Sequence, residues 1–117
     1  MLPLKYRMIE VKEYVDESGK SPYASWHDRL SARAAVKVST ALYRLEQGNF
    51  SNTKGVGGGI FEYKIDFGPG YRIYFGKDGE RIVIILGGGT KKRQNQDIDA
   101  AKTHWQEYKA RDRKSVV

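Results

Sequence analysis

Residues 60–67, Ile-Phe-Glu-Tyr-Lys-Ile-Asp-Phe, and residues 71–75, Tyr-Arg-Ile-Tyr-Phe, alternate in polarity on either side of a Gly-Pro-Gly triplet. A period of two marks a strand with two unlike faces, and Gly-Pro-Gly supplies a tight turn between the two runs. The pattern predicts an antiparallel hairpin. On its first strand Phe61, Tyr63, Ile65 and Phe67 face one way, and Glu62, Lys64 and Asp66 the other. On its second strand Tyr71, Ile73 and Phe75 oppose Arg72 and Tyr74. Lys77-Asp78-Gly79-Glu80 carries an Asp-Gly hairpin signal and leads into Ile82-Val83-Ile84-Ile85-Leu86. That unbroken aliphatic run predicts a central strand covered on both faces, so a meander of this kind requires helices to cover it.

The rest of the chain supplies them. Residues 4–15 read as a first strand, with Ile9, Val11 and Val15 on one face and Tyr6, Met8 and Tyr14 on the other. Ser21-Pro22 predicts a helix start, Ser as N-cap and Pro at the first helical position, with Trp26 and Leu30 facing inward. Ser31 caps a second helix, whose Ala34, Val38, Ala41, Leu42 and Leu45 form one apolar stripe before Gly48 ends it. Residues 48–59 read as a flexible connection from helix to sheet. With no strand before them and no helix after, their glycines do not make a phosphate-binding loop. Gly87-Gly88-Gly89 reads as the exit from the last strand, and a helix from about Asp97 to Arg111 carries Ile98, Ala101, Trp105 and Tyr108 on its apolar side. The expected order is β-α-α-β-β-β-α: an α+β fold with a small, mostly antiparallel sheet packed on a helical hairpin and a C-terminal helix.

Composition narrows the chemistry. At 117 residues the chain has the length of one domain, 1–117, with a basic tail at about 109–117. It contains no cysteine, which excludes disulfides, thiolate metal sites and cysteine nucleophiles, and His27 and His104 stand far apart, so no metal or other cofactor is expected. The longest aliphatic run, Ile82–Leu86, is far short of the roughly 18–20 residues that span a bilayer. Met1-Leu2-Pro3-Leu4-Lys5 leads into charges, not into an apolar signal core, so a cytoplasmic protein is expected. The net charge is +7, and residues 91–117 alone carry eight basic and four acidic side chains. Such an excess favours a polyanionic partner, nucleic acid or an acidic protein, while a solvated basic helix end accounts equally well for residues 109–117 alone.

Two motifs carry a family resemblance. Residues 61–75, centred on Gly68-Pro69-Gly70-Tyr71-Arg72, resemble the strand–GPGYR–strand signature of the HigB-like "addiction module killer" branch of the RelE/ParE toxin superfamily. Leu86-Gly87-Gly88-Gly89-Thr90-Lys91, followed by Gln94, Asp97 and Ile98, is similar to that branch's second signature, with Thr90 where the branch usually has Asp. The resemblance covers roughly residues 4–110 and matches the element order. It implies a RelE-like fold and a metal-independent endoribonuclease that cuts messenger RNA on translating ribosomes. It also implies a cognate antitoxin, a small helix-turn-helix protein, through which alone the toxin would reach operator DNA.

Cleavage of RNA through its own 2′-OH needs a proton acceptor, cations for the charged phosphorane and a donor for the leaving 5′-oxygen. The alternation puts Lys64, Arg72 and Tyr74 on one sheet face, and Lys91, Lys92 and Arg93 arrive from the end of the last strand. Lys64, Arg72 and Lys91 are therefore the expected catalytic residues, with Lys92, Arg93 and Tyr74 binding substrate. Clustered cations depress a lysine pKa, and an outward-facing Arg72 suits a bidentate grip on phosphate. A salt-bridged solvent face, with Glu62 and Asp66 keeping Lys64 charged, and Tyr74 as simple packing, are the competing readings of the same residues. His104 and Tyr108 read as packing residues of the last helix. Two functions compete with the nuclease: gyrase inhibition of the ParE type, and a non-catalytic member that binds antitoxin or RNA.

Overall fold

The computed structural model describes residues 8–115. The chain runs β1 (Glu10–Glu13), α1 (Pro22–His27), α2 (Ala32–Glu46), β2 (Thr53–Gly57), β3 (Ile60–Ile65), β4 (Tyr71–Asp78), β5 (Ile82–Thr90), a 3-10 turn (Lys91–Arg93) and α3 (Gln94–Ser115). The strands form one mixed sheet in the order β1-β5-β4-β3-β2. β1 is parallel to β5 and the other three pairings are antiparallel. The architecture is α+β, with a helix layer on each face of the sheet.

The sheet's two faces are the two sides of the alternation. Tyr63, Ile65, Ile73, Phe75, Val83 and Ile85 pack with Tyr23 and Trp26 of α1 and with Val38, Ala41 and Leu45 of α2. Ile60, Tyr74, Ile84 and Leu86 pack on the other face with Tyr14 and with Ala101 and Trp105 of α3. β5 serves both layers, which is why its run of aliphatic residues shows no alternation. Each buried side chain of this size contributes roughly 1.5–3 kcal/mol, so both layers are needed to hold the sheet.

The helix caps follow the serine signals. Ser21 Oγ accepts from Ala24 N–H at 3.0 Å and Ser31 Oγ accepts from Ala34 N–H at 3.2 Å. Gly48, at φ +77°, ends α2 in the left-handed region that glycine enters without strain. α1 stops at His27, so Leu30 reaches the core from the turn beyond it.

Three expectations change. Residues 48–59 contain a fifth strand, β2, paired antiparallel to β3 at the sheet edge. Its sequence, Thr-Lys-Gly-Val-Gly, buries little and pairs through its backbone, so hydropathy gave no sign of it. Gly87, Gly88 and Gly89 lie inside β5. Gly88 is a glycine because the Trp26 ring lies where its Cβ would be, and Gly89 because the Asp97 carboxylate does. Gly76 does the same on the other face, where a Cβ would come 2.5 Å from the Trp105 ring. Finally, β1 covers only Glu10–Glu13; Val15 and Met8 are 42% and 56% exposed. Residues 4–7, Tyr6 among them, lie outside the described residues.

Candidate functional site

The β3–β4 register pairs Lys64 with Arg72 and Glu62 with Tyr74, and the β4–β5 register carries the first row on to Gly89. Two residues further along, past the Tyr71–Thr90 pair, Lys91 N–H donates to the Gly70 carbonyl at 2.9 Å, tying the turn after β5 to the Gly-Pro-Gly turn. The fold therefore brings the backbones of Lys64, Arg72 and Lys91 to one end of the sheet. Lys64, Lys91, Lys92 and Arg93 are exposed.

Arg72 and Tyr74 are not where the sequence reading puts them. Arg72 is 5% exposed and Tyr74 fully buried, because α3 covers the face expected to meet solvent. Arg72 Nε lies 3.5 Å from Glu62 Oε1, and its Nη1 donates to the Gly70 carbonyl at 2.9 Å. Glu62, 1% exposed, also accepts from Gln94 Nε2 at 2.6 Å, and Lys54 Nζ lies 3.9 Å away. The guanidinium thus faces a buried carboxylate and a backbone carbonyl, so an outward, bidentate grip on phosphate is not its arrangement. Glu62 turns to Arg72, not to Lys64. Tyr74 is a packing residue whose phenol is pushed up by burial and by the nearby carboxylates of Glu62 and Asp97. Burial likewise pushes the Asp97 carboxyl up, with Arg93 opposing.

His104 and Tyr108 belong to the α3 packing, as expected. His104 stacks on Tyr14 at 4.9 Å, and Tyr108 stacks on Trp105 at 5.4 Å and donates to Asp78 at 2.6 Å. Tyr14 itself donates to Glu107.

Beside the cationic end of the sheet lies a groove of about 600 Å³ between α2 and the β2–β3 edge. Ala41, Tyr63, Ile65 and Phe67 line it, with Lys37, Arg44, Lys54 and Lys64 also on its walls. The sequence reading missed Lys37, Arg44 and Lys54. The first two carry a usable signal, cations seven apart on one helix; Lys54 sat in a stretch read as a loop. Gln94 was also missed, and only the seating of α3 over Glu62 reveals it. Among the described residues no three His, Cys, Asp or Glu side chains converge to hold a metal, and no helix is long and apolar enough to cross a membrane.

Comparison with models of known protein families finds no match. An uncharacterized protein of Haemophilus influenzae is 43% identical over 86 residues, spanning 73% of this chain and 87% of the relative. Identity of that degree over that length shows common descent, and the chain belongs to the same family as this Haemophilus influenzae protein.

Proposed function

We propose that the chain is a toxin of the RelE/ParE type, HigB-like branch, acting in the cytoplasm as a metal-independent endoribonuclease on messenger RNA at the ribosome and silenced by a small helix-turn-helix antitoxin. The observation that carries this reading is the convergence of Lys64 and Lys91, both exposed, at one end of the sheet, with Arg72 between them in the strand register. The strand order and the two signature motifs agree with it.

In this reading Lys64 Nζ takes the 2′-OH proton as the 2′-oxygen forms its bond to phosphorus. The bond from phosphorus to the 5′-oxygen breaks, and that oxygen takes a proton from the Lys91 ammonium. A 2′,3′-cyclic phosphate and a 5′-OH end result. Lys92 and Arg93 hold neighbouring phosphates. Arg72 acts as a positioning residue: it holds the Gly70 carbonyl, which also receives the Lys91 N–H. Tyr74 takes no part in binding, because it is fully buried.

A second reading, a member that binds RNA or antitoxin without cutting, is favoured by one observation. The Arg72 charge is engaged by Glu62, which leaves no free guanidinium between the exposed Lys64 and Lys91. Mapping message ends after incubation with translating ribosomes separates the two. Cuts within codons support the nuclease, and intact messages that nonetheless co-purify with the protein support binding alone. Gyrase-dependent DNA breaks would overturn both.

A further inference from the structure

The backbone of Lys91 is held from both sides. Its N–H donates to the Gly70 carbonyl at 2.9 Å, and its carbonyl accepts from the N–H of Gln94, the first residue of α3. Side chains join these two anchors. Gln94 Nε2 donates to Glu62 Oε2 at 2.6 Å, Glu62 Oε1 lies 3.5 Å from Arg72 Nε, and Arg72 Nη1 donates back to the Gly70 carbonyl at 2.9 Å. The ring closes on Lys91 and draws on β3, β4, the Gly-Pro-Gly turn and α3. Gly70 lies where its two arms meet: a Cβ there would come 3.3 Å from Arg72 Nη1 and 3.7 Å from Lys91 Cβ. The Lys91 ammonium makes no ion pair or hydrogen bond among the described residues, so its backbone alone determines where the side chain starts.

We propose that Gln94 and Glu62 are positioning residues for Lys91, fixing the backbone from which its ammonium reaches the leaving 5′-oxygen; the inference rests on the nuclease reading. Glu62 is 1% exposed and Gln94 turns its amide inward to it, so both act through Lys91. A neutral amide suits position 94. A carboxylate there would repel Glu62, and a hydrocarbon would leave Glu62 Oε2 without its donor. An ammonium would compete with Arg72 for the same carboxylate, and Arg72 is what holds Gly70. The rest of α3 is seated separately, by the Asp97 carboxylate on Gly89 and by the Trp105 ring on Gly76. Loss of the Gln94 amide therefore frees the Lys91 turn and leaves the helix docked. Misplacing a reacting group by about 1 Å costs about a hundredfold in rate.

The test separates protonation of the leaving group from every other contribution. Ribosomes are programmed with a short message whose cleaved linkage carries either the natural 5′-oxygen or a bridging 5′-sulfur. In both, the 2′-oxygen attacks phosphorus and the bond from phosphorus to the 5′ atom breaks. An alkoxide needs the Lys91 proton to depart, whereas a thiolate is a weak enough base to depart without it. Single-turnover rates at saturating full-length chain are measured on each message. Gln94→Ala should cut the oxygen message about ten- to a hundredfold more slowly than the parent, and the sulfur message within about twofold of it. Lys91→Ala should show the same selectivity, and Lys64→Ala should lose on both messages. Gln96→Ala, exposed on the same turn of α3, should match the parent on both. If Gln94→Ala does not fold, Gln94→Met, which keeps the length of the side chain without its donor, takes its place. Parental rates on the oxygen message, equal losses on the two messages, or the same selectivity with Gln96→Ala would overturn this inference alone. An unmodified chain that cuts neither message would overturn the nuclease reading, and a Lys91→Ala without selectivity would overturn Lys91 as the acid; either result takes this inference with it.

Discussion

Replacing Arg72 by alanine distinguishes a buried arginine from a surface one. An exposed arginine of an antiparallel sheet would cost no more than about 0.5 kcal/mol. The structure demands far more. Removing the guanidinium leaves the Glu62 carboxylate, 1% exposed, without its buried partner, and frees the Gly70 carbonyl of one of its two donors. Breaking a buried pair from one side costs about 3–5 kcal/mol. Lys54 remains 3.9 Å from Glu62, but its side chain is 68% exposed and compensates weakly, and Gln94 still donates to the other oxygen. The expected loss is therefore about 3 kcal/mol, which lowers the melting midpoint of a chain of this size by roughly 10–15 °C. Urea unfolding followed by circular dichroism reads the free energy directly. The double variant Glu62→Gln, Arg72→Met removes both charges at similar volume and should recover most of the loss, because a buried ion pair is worth little against an apolar replacement. If Arg72→Ala unfolds within about 0.5 kcal/mol of the parent, or if the double variant is no better than the single, the buried-pair account is refuted.

Four further outcomes follow from the same geometry. Gly76→Ala and Gly88→Ala each force a methyl against a tryptophan ring, Trp105 and Trp26 respectively, and should cost about 1–3 kcal/mol with a shift in tryptophan emission; unchanged urea midpoints would mean the rings do not pack on those glycines. Lys64→Ala and Lys91→Ala should melt like the parent yet lose about 10²–10³ in cleavage rate, with Lys92→Ala milder, scored by message-end mapping and by growth arrest on induction. Burial raises the Asp97 carboxyl, so its contribution is fully present below the unfolded-state value and is lost as pH rises through the folded one. Asp97→Asn should therefore flatten the stability profile just above the ordinary carboxylate range, and an unaltered profile would refute that assignment. RNA binding through Lys64, Lys91, Lys92 and Arg93 should fall with salt at a log–log slope of about −3, and binding unchanged between low salt and several hundred millimolar would exclude an electrostatic interface.

Much of the fold was legible because each signal was local. The period of two at Phe61–Phe67 divides the two core layers, since a strand's faces are set by backbone geometry alone. Ser21, Pro22, Ser31 and Gly48 mark helix ends because capping satisfies neighbouring N–H and C=O groups within a few residues. The pairing of Lys64 with Arg72 also followed from pattern, because a tight turn fixes the register of a hairpin. What sequence could not decide was what covers each face. Polar alternation at Glu62, Lys64, Arg72 and Tyr74 reads as solvent exposure, but the same pattern arises when charges neutralise one another beneath a helix. Only the seating of α3, through Trp105 on Gly76 and Gln94 on Glu62, decides that Arg72 is buried and Lys64 is not. β2 escaped for the converse reason: an edge strand held by its backbone needs no side-chain pattern. The three glycines of β5 likewise look like a loop until Trp26 and Asp97 occupy the space that side chains at 88 and 89 would take. Composition and spacing determined the elements and their faces; long-range packing determined which face of the sheet meets water.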